Sequence, residues 1–263
     1  MKENSMKQRK YWYVFLITAA TVFITAALPV AAQELSADEL LEKADDAMYP
    51  ETFEMTTTLT TERNGEVIKS QTIKGYYAED VGSRLEIQSP ARSKGIKFLQ
   101  KGDSLWMYNP RSLSGRAIRL SGGSSFQGSV FSNDDIGDKS YSDDYDTQIA
   151  GSEDVKHEDI GTAECYILIG TPKNEKVQYG KIKMWVTKNN YIPLKMEFYA
   201  KSGMLFKKMD CSGIEHMAGR KRPTEFTMQS MEKQNTISRF TIDSMTINEN
   251  IPDRMFTRRD LTR

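Results

Sequence analysis

The chain is short of the residues that usually carry chemistry. Its 263 residues include only two cysteines and two histidines. Two cysteines are too few for a disulfide scaffold. His157 and His216 sit among polar residues without metal-ligand spacing, so neither a metal site nor any cofactor is expected. No Gly-x-Ser-x-Gly elbow occurs, and Gly122-Gly123-Ser124-Ser125 lacks the Gly-Lys-Ser/Thr of a P-loop. The Asp-rich run from Asn133 to Asp146 does not follow an EF-hand loop. With no nucleophile–base pair, an enzyme is not expected. Charge of either sign is also not in excess: 36 bases balance 36 acids, which argues against a nucleic-acid partner.

One apolar run stands out. Lys2, Lys7, Arg9 and Lys10 precede the stretch Tyr11 to Leu28, Pro29 breaks it, and Val30-Ala31-Ala32 comes after the break. This reads as an export signal over 1–32, cleaved near Ala32. Its loss takes four bases and one acid, leaving 32 against 35. Residues 33–263 are then expected to be one exported domain. No later segment is long and apolar enough to span a bilayer.

The exported part begins with a short helical pattern and then alternates. Ser36 and Glu39 form a Ser-x-x-Glu capping box, with Leu40, Leu41, Ala44, Ala47 and Met48 on one face. From Thr52 the period becomes two. Met55 and Leu59 alternate with polar residues, Asn64-Gly65 marks a hairpin, and Leu85 and Ile87 share a face. Cys165–Gly170, Lys181–Thr187 and the run from Pro193 repeat the pattern, with Met184, Val186, Met196 and Phe198 inward. In the last long strand the apolar phase shifts between Phe240-x-Ile242 and Met245-x-Ile247, which places a bulge near Asp243-Ser244. About ten or eleven short strands at regular spacing fit a mainly β, α+β fold. They suggest a strongly curved antiparallel sheet, half closed into a barrel, with helices as lid or plug.

The central stretch carries the functional hint. Phe98 lies on one strand, and Trp106 and Tyr108 share a face of the next. A Gly/Ser-rich loop from Ser121 to Gly128 then bears Phe126, with Val130, Phe131 and Ile136 just beyond. Exposed, each large apolar side chain would cost about 1.5–3 kcal/mol, so the loop needs an apolar seat. It is either a lid over a pocket or a plug in an ordinary core. Fourteen methionines, many at alternating positions, suit a surface that adapts to variable ligands or a plain core equally well. An exported compartment permits a disulfide between Cys165 and Cys211; the alternative is two buried thiols.

These residues also carry a likeness. Ser93-Lys94-Gly95 with Phe98-Leu99, Gly102-Asp103-x-Leu-Trp-Met-Tyr-x-Pro110, Arg116 and Arg119, and Gly128-Ser-x-Phe-Ser-Asn-Asp-Asp-Ile136 resemble the LolA-like outer-membrane lipoprotein-sorting proteins. Trp185-Val186, Pro193-Leu194, Ile251-Pro252, Phe256-Thr257 and Leu261 extend the likeness over most of the exported chain. The resemblance implies an unclosed barrel with a helical lid and a periplasmic location. It implies a cavity for lipoprotein acyl chains or lipid, loaded by an inner-membrane ABC-type release complex and emptied at an outer-membrane acceptor. Arg111, Arg116 and Arg119 are candidates for a gate near the lid. The alternative is a lipid-sensing envelope-stress module of the same fold that signals through a protein partner.

Overall fold

The structure, a computed structural model, describes residues 35–137, 140–233 and 235–263. The export signal expected over 1–32 lies outside the described residues. The first element, α1 (Ala37–Met48), begins at the expected box: the Ser36 side chain accepts from the Glu39 N–H, and Glu39 accepts from the Ser36 N–H in return. Its apolar stripe, Leu40, Leu41, Ala44, Ala47 and Met48, is buried.

The strands are β1 (Thr52–Arg63), β2 (Glu66–Ala78), β3 (Gly82–Ser89), β4 (Lys97–Lys101), β5 (Ser104–Tyr108) and β6 (Ile118–Leu120). After two four-residue helices, α2 (Asn133–Ile136) and α3 (Tyr141–Asp144), come β7 (Tyr145–His157), β8 (Gly161–Pro172), β9 (Lys181–Thr187) and β10 (Pro193–Tyr199). Next are β11 (Leu205–Ser212), β12 (Glu215–Met217), β13 (Arg220–Arg222), β14 (Glu225–Ser230) and β15 (Thr236–Ile247). A 3-10 turn (Asp253–Phe256) and α4 (Arg258–Leu261) end the chain.

Among the described residues, thirteen strands form one antiparallel sheet in the order β6-β5-β4-β3-β2-β1-β15-β14-β11-β10-β9-β8-β7, and β12 pairs with β13 in a separate ribbon. Hairpin connections dominate, and β15 returns to lie beside β1 at the middle. Asn64 and Gly65 both take positive φ, 53° and 82°, as a two-residue hairpin turn requires. Thr56 faces Ser244 while Thr57 faces Ile242, so Asp243 is the extra residue of the expected bulge.

The sheet is larger than the alternation marks. The main addition is β7, in which only Tyr145 and Val155 are buried. It is an end strand held by its ladder to β8, so it carries almost no hydrophobic period.

The sheet is also rolled. Asp103, in the turn between β4 and β5, lies 3.1 Å from Lys176, in the connection before β9. Eight strand spacings separate β4 from β9, about 38 Å on a flat sheet at about 4.8 Å each. Curvature brings the two sides together, while β6 and β7 leave the sheet unclosed.

Candidate functional site: an aromatic cavity with an acidic mouth

Period two on a rolled sheet sends one set of side chains to the concave side. Met55 and Leu59 of β1, Leu85 and Ile87 of β3, Phe98 of β4, Met184 and Val186 of β9, and Met196 and Phe198 of β10 all enter one buried cluster. Phe126, Val130, Phe131 and Ile136 complete it. The Gly/Ser-rich loop is therefore seated inside the roll. Phe126 stacks obliquely on Phe98 at 4.9 Å between centroids, and Phe131 meets Phe240 edge-on at 6.1 Å. Its backbone is tied down as well. The Phe126 N–H donates to the Phe131 carbonyl at 2.8 Å, and the Val130 N–H donates to Ser238 Oγ of β15 at 2.9 Å.

Trp106 and Tyr108 go elsewhere. They sit on the convex side of β5, where Leu99, Ile251, Phe256 and Leu261 form a second cluster with them. Within β5 it is Leu105 that joins the concave core. Arg111, Arg116 and Arg119 are exposed near this edge. Arg111 donates to the Lys94 and Ala91 carbonyls, and Arg119 to Ser104 Oγ. The cysteine alternatives resolve as free thiols: Cys165 and Cys211 are both buried and unbridged. They lie on β8 and β11, three strand spacings apart, about 14 Å and beyond the roughly 7 Å Cα limit of a disulfide.

The plug does not fill the whole interior. A cavity of about 530 Å³ opens between the roll, α1 and the α2–α3 segment, within the roughly 300–1,000 Å³ usual for small-molecule sites. A second void of about 10 Å³ lies behind the plug against Leu85, Leu105, Phe98 and Phe126. Of the residues expected at an acyl site, Phe131 and Ile136 line the larger cavity. The remaining concave-side candidates are packed in the core around it. Arg111, Arg116 and Arg119 do not line it.

The floor is aromatic. Tyr77 stacks on Phe53 at 4.5 Å, Phe53 on Tyr49 at 5.8 Å, and Tyr49 on Phe226 at 6.0 Å. Phe226 then reaches Phe240 at 6.4 Å. Met48 and Met209 line the cavity with them. Phe53, Met209, Phe226 and Phe240 were visible in the sequence only as ordinary strand positions.

The mouth has the opposite character. Glu42, Asp45 and Asp46 of α1, Glu51, Glu79 and Asp80, and Asp143 of α3 line it, while among the described residues no lysine or arginine does. Two carboxyls there are shifted upward, both with burial as the leading cause. Glu79 is held above the usual carboxylate range by burial and by Glu51, Asp80 and Asp46. Asp45 is pushed up to about 7, chiefly by burial, against hydrogen bonds from Ser142 and Tyr141 that pull it down. The Ser142 N–H donates to Asp45 Oδ2 at 2.8 Å, and Asp45 Oδ1 is buried with no partner.

Both ends of α1 are fastened beside this mouth. Asp38 accepts from the Thr147 N–H at 2.8 Å. At the other end Arg222, only 1% exposed, donates to the carbonyls of Met48, Met217 and Ala218. A guanidinium at a helix C-terminus meets both orphan carbonyls and the negative end of the dipole. Deeper in, Lys207 of β11 and the Tyr179 hydroxyl converge on Asp135 of α2.

An open, rolled antiparallel sheet with helices set in its concave side is a LolA-like fold, as the comparisons show. A family model described only as that of an uncharacterized protein matches residues 79–263. A LolA superfamily protein from Nitrosomonas europaea superposes with a TM-score of 0.75 at 27% identity, covering 85% of this chain and 98% of that one. A DUF1329 family protein from Desulfovibrio piger gives a TM-score of 0.74 at 24% identity, over 86% of this chain and 97% of that one. A domain from Vibrio parahaemolyticus assigned to outer-membrane lipoprotein sorting gives 0.70 at 19% identity, over 86% and 98%. No curated protein matches the chain. The chain belongs to the family of the model that matches residues 79–263, and its likeness at 27% identity places it in the LolA superfamily.

Proposed function

We propose that the protein is a periplasmic carrier that shelters acyl chains of lipoproteins or lipids and ferries them towards the outer membrane without chemistry. On this reading residues 1–32 direct export and 33–263 form the carrier domain. An inner-membrane ABC-type complex loads it and an outer-membrane acceptor unloads it. The observation that carries the reading is the cavity of about 530 Å³ floored by Phe53, Tyr77, Phe226 and Phe240. Carrying a chain through water costs about 0.8 kcal/mol per exposed CH₂, so a soluble shuttle needs such a floor. Withdrawal of the plug residues Phe126, Val130 and Phe131 would join the cavity to the void beside Leu85 and Phe98 and lengthen the site. No helix among the described residues is long and apolar enough to cross a membrane.

Native mass spectrometry of the protein purified from the periplasm tests this. Bound lipid is expected on the wild type and lost from Phe131→Asp, which sets a carboxylate against the cavity wall. Full loading of the variant, or an unloaded wild type that takes up no acyl chain on incubation, would contradict the reading.

A further inference from the structure

The carrier reading leaves the ligand's charge open, and the mouth addresses it. We propose that the cavity selects amphiphiles with a cationic group next to the apolar chain, the ammonium pairing with Asp45. This rests on the carrier reading and adds the chemistry of the head.

The floor supplies the apolar half of the site and the rim the polar half. Glu42 and Asp46 on α1, Glu51 before β1, Glu79 and Asp80 between β2 and β3, and Asp143 on α3 approach the opening from four separate elements. Like charges gathered across an opening repel, and a cation between them removes that cost. Asp45 provides the specific contact. One of its oxygens takes the Ser142 N–H; the other is buried and has no donor, and Asp45 is one of the residues that line the cavity. A buried carboxylate oxygen left unmatched is costly, and an ammonium entering from the cavity supplies the missing donor together with the opposite charge.

Neighbouring groups do not satisfy this demand. Arg222 spends its donors on three carbonyls behind the wall, and Lys207 is held by Asp135 and Tyr179. A bare metal ion fits poorly, because among the described residues no three acidic or other ligating side chains are close enough to hold one. A free fatty acid or a phosphate head would bring negative charge into a negative mouth. An alkylamine, or an acyl chain beside a lysine-like ammonium, has the right form.

Titration calorimetry at neutral pH with decylamine, decanoate and decanol separates the terms. Decylamine is expected to bind about tenfold more tightly than decanol, and decanoate more weakly than either. Asp45→Asn should shrink the amine's advantage and leave decanol unchanged, and Asp46→Asn with Glu79→Gln should do so more mildly. Decanoate binding as tightly as decylamine would overturn the inference. So would an amine advantage that survives in both variants. Binding of decanol without preference for the amine defeats this inference alone; no binding of any of the three defeats the carrier reading with it.

Discussion

Lys207 Nζ lies 2.9 Å from Asp135 Oδ2, and both side chains are almost wholly enclosed, 7% and 5% exposed. The pair joins the concave face of β11 to α2, which comes directly after the plug. The Tyr179 hydroxyl donates to the same carboxylate, and burial beside Asp135 raises its ionisation well out of reach, so it stays a donor. Asp135 also closes the capping box of α2 with Ser132. Lys207→Met should therefore strand a buried negative charge and cost about 3–5 kcal/mol, read by chemical denaturation. Adding Asp135→Asn should recover part of that loss. Near-neutral behaviour of Lys207→Met would show that the pair does not hold the plug.

Asp45 should make stability fall as pH rises. Its carboxyl moves from 3.8 to about 7 on folding. Between those values the folded chain keeps a proton that the unfolded chain has lost, so unfolding releases it. The penalty is absent below the lower value, grows through the window and is complete above the upper one. Asp45→Asn should stabilise the fold by about 1–3 kcal/mol above roughly pH 8, with no gain below about pH 4. Thermal melts across pH give the difference curve. A gain independent of pH, or a loss at high pH, would contradict the assignment. A carboxylate that weakens the fold at the wall of a cavity is what a binding role would retain.

The two thiols should be inert and unlinked. Burial pushes Cys165 up to about 11 and raises Cys211 further. Neither should react with a thiol reagent in the native protein, and both should titrate on unfolding. Reducing agent should leave the melting temperature unchanged. A drop of several degrees on reduction would mean that β8 and β11 are bridged after all.

The convex cluster should matter for stability and not for the cavity. Phe256 and Leu261 are fully buried against Leu99, beside Trp106 and Tyr108, and the Asp260 carboxylate accepts from Arg84 of β3. Phe256→Ala should cost about 3–5 kcal/mol and shift Trp106 emission to the red, with ligand binding kept in the folded fraction. Loss of binding in a variant that remains folded would mean that this face belongs to the site.

The local devices were legible because each has its own chemistry. Ser36 with Glu39, the Asn64-Gly65 turn and the phase slip at Asp243 could each be read from neighbours in the chain. Which face of a strand turns inward could not. Period two says that Trp106 and Tyr108 share a side of β5, but the roll decides that Leu105 has the concave one. Likewise, Phe53, Phe226 and Phe240 look the same in sequence whether covered or lining a cavity. That distinction depends on how far α1 and the plug fill the roll. β7 was hidden because a strand exposed on both faces has no apolar period to show.

The most direct test of the central claim is where a bound acyl chain lies. A fatty acyl probe with a photoactivatable diazirine at its tail, cross-linked in the purified protein and mapped by peptide mass spectrometry, locates it. Adducts should concentrate on Met48, Tyr49, Phe53, Met209, Phe226 and Phe240, and a non-photoreactive competitor should remove them. Adducts confined to the Trp106 and Phe256 face, or scattered over the outer surface and indifferent to competitor, would contradict a carrier with its cargo inside the roll.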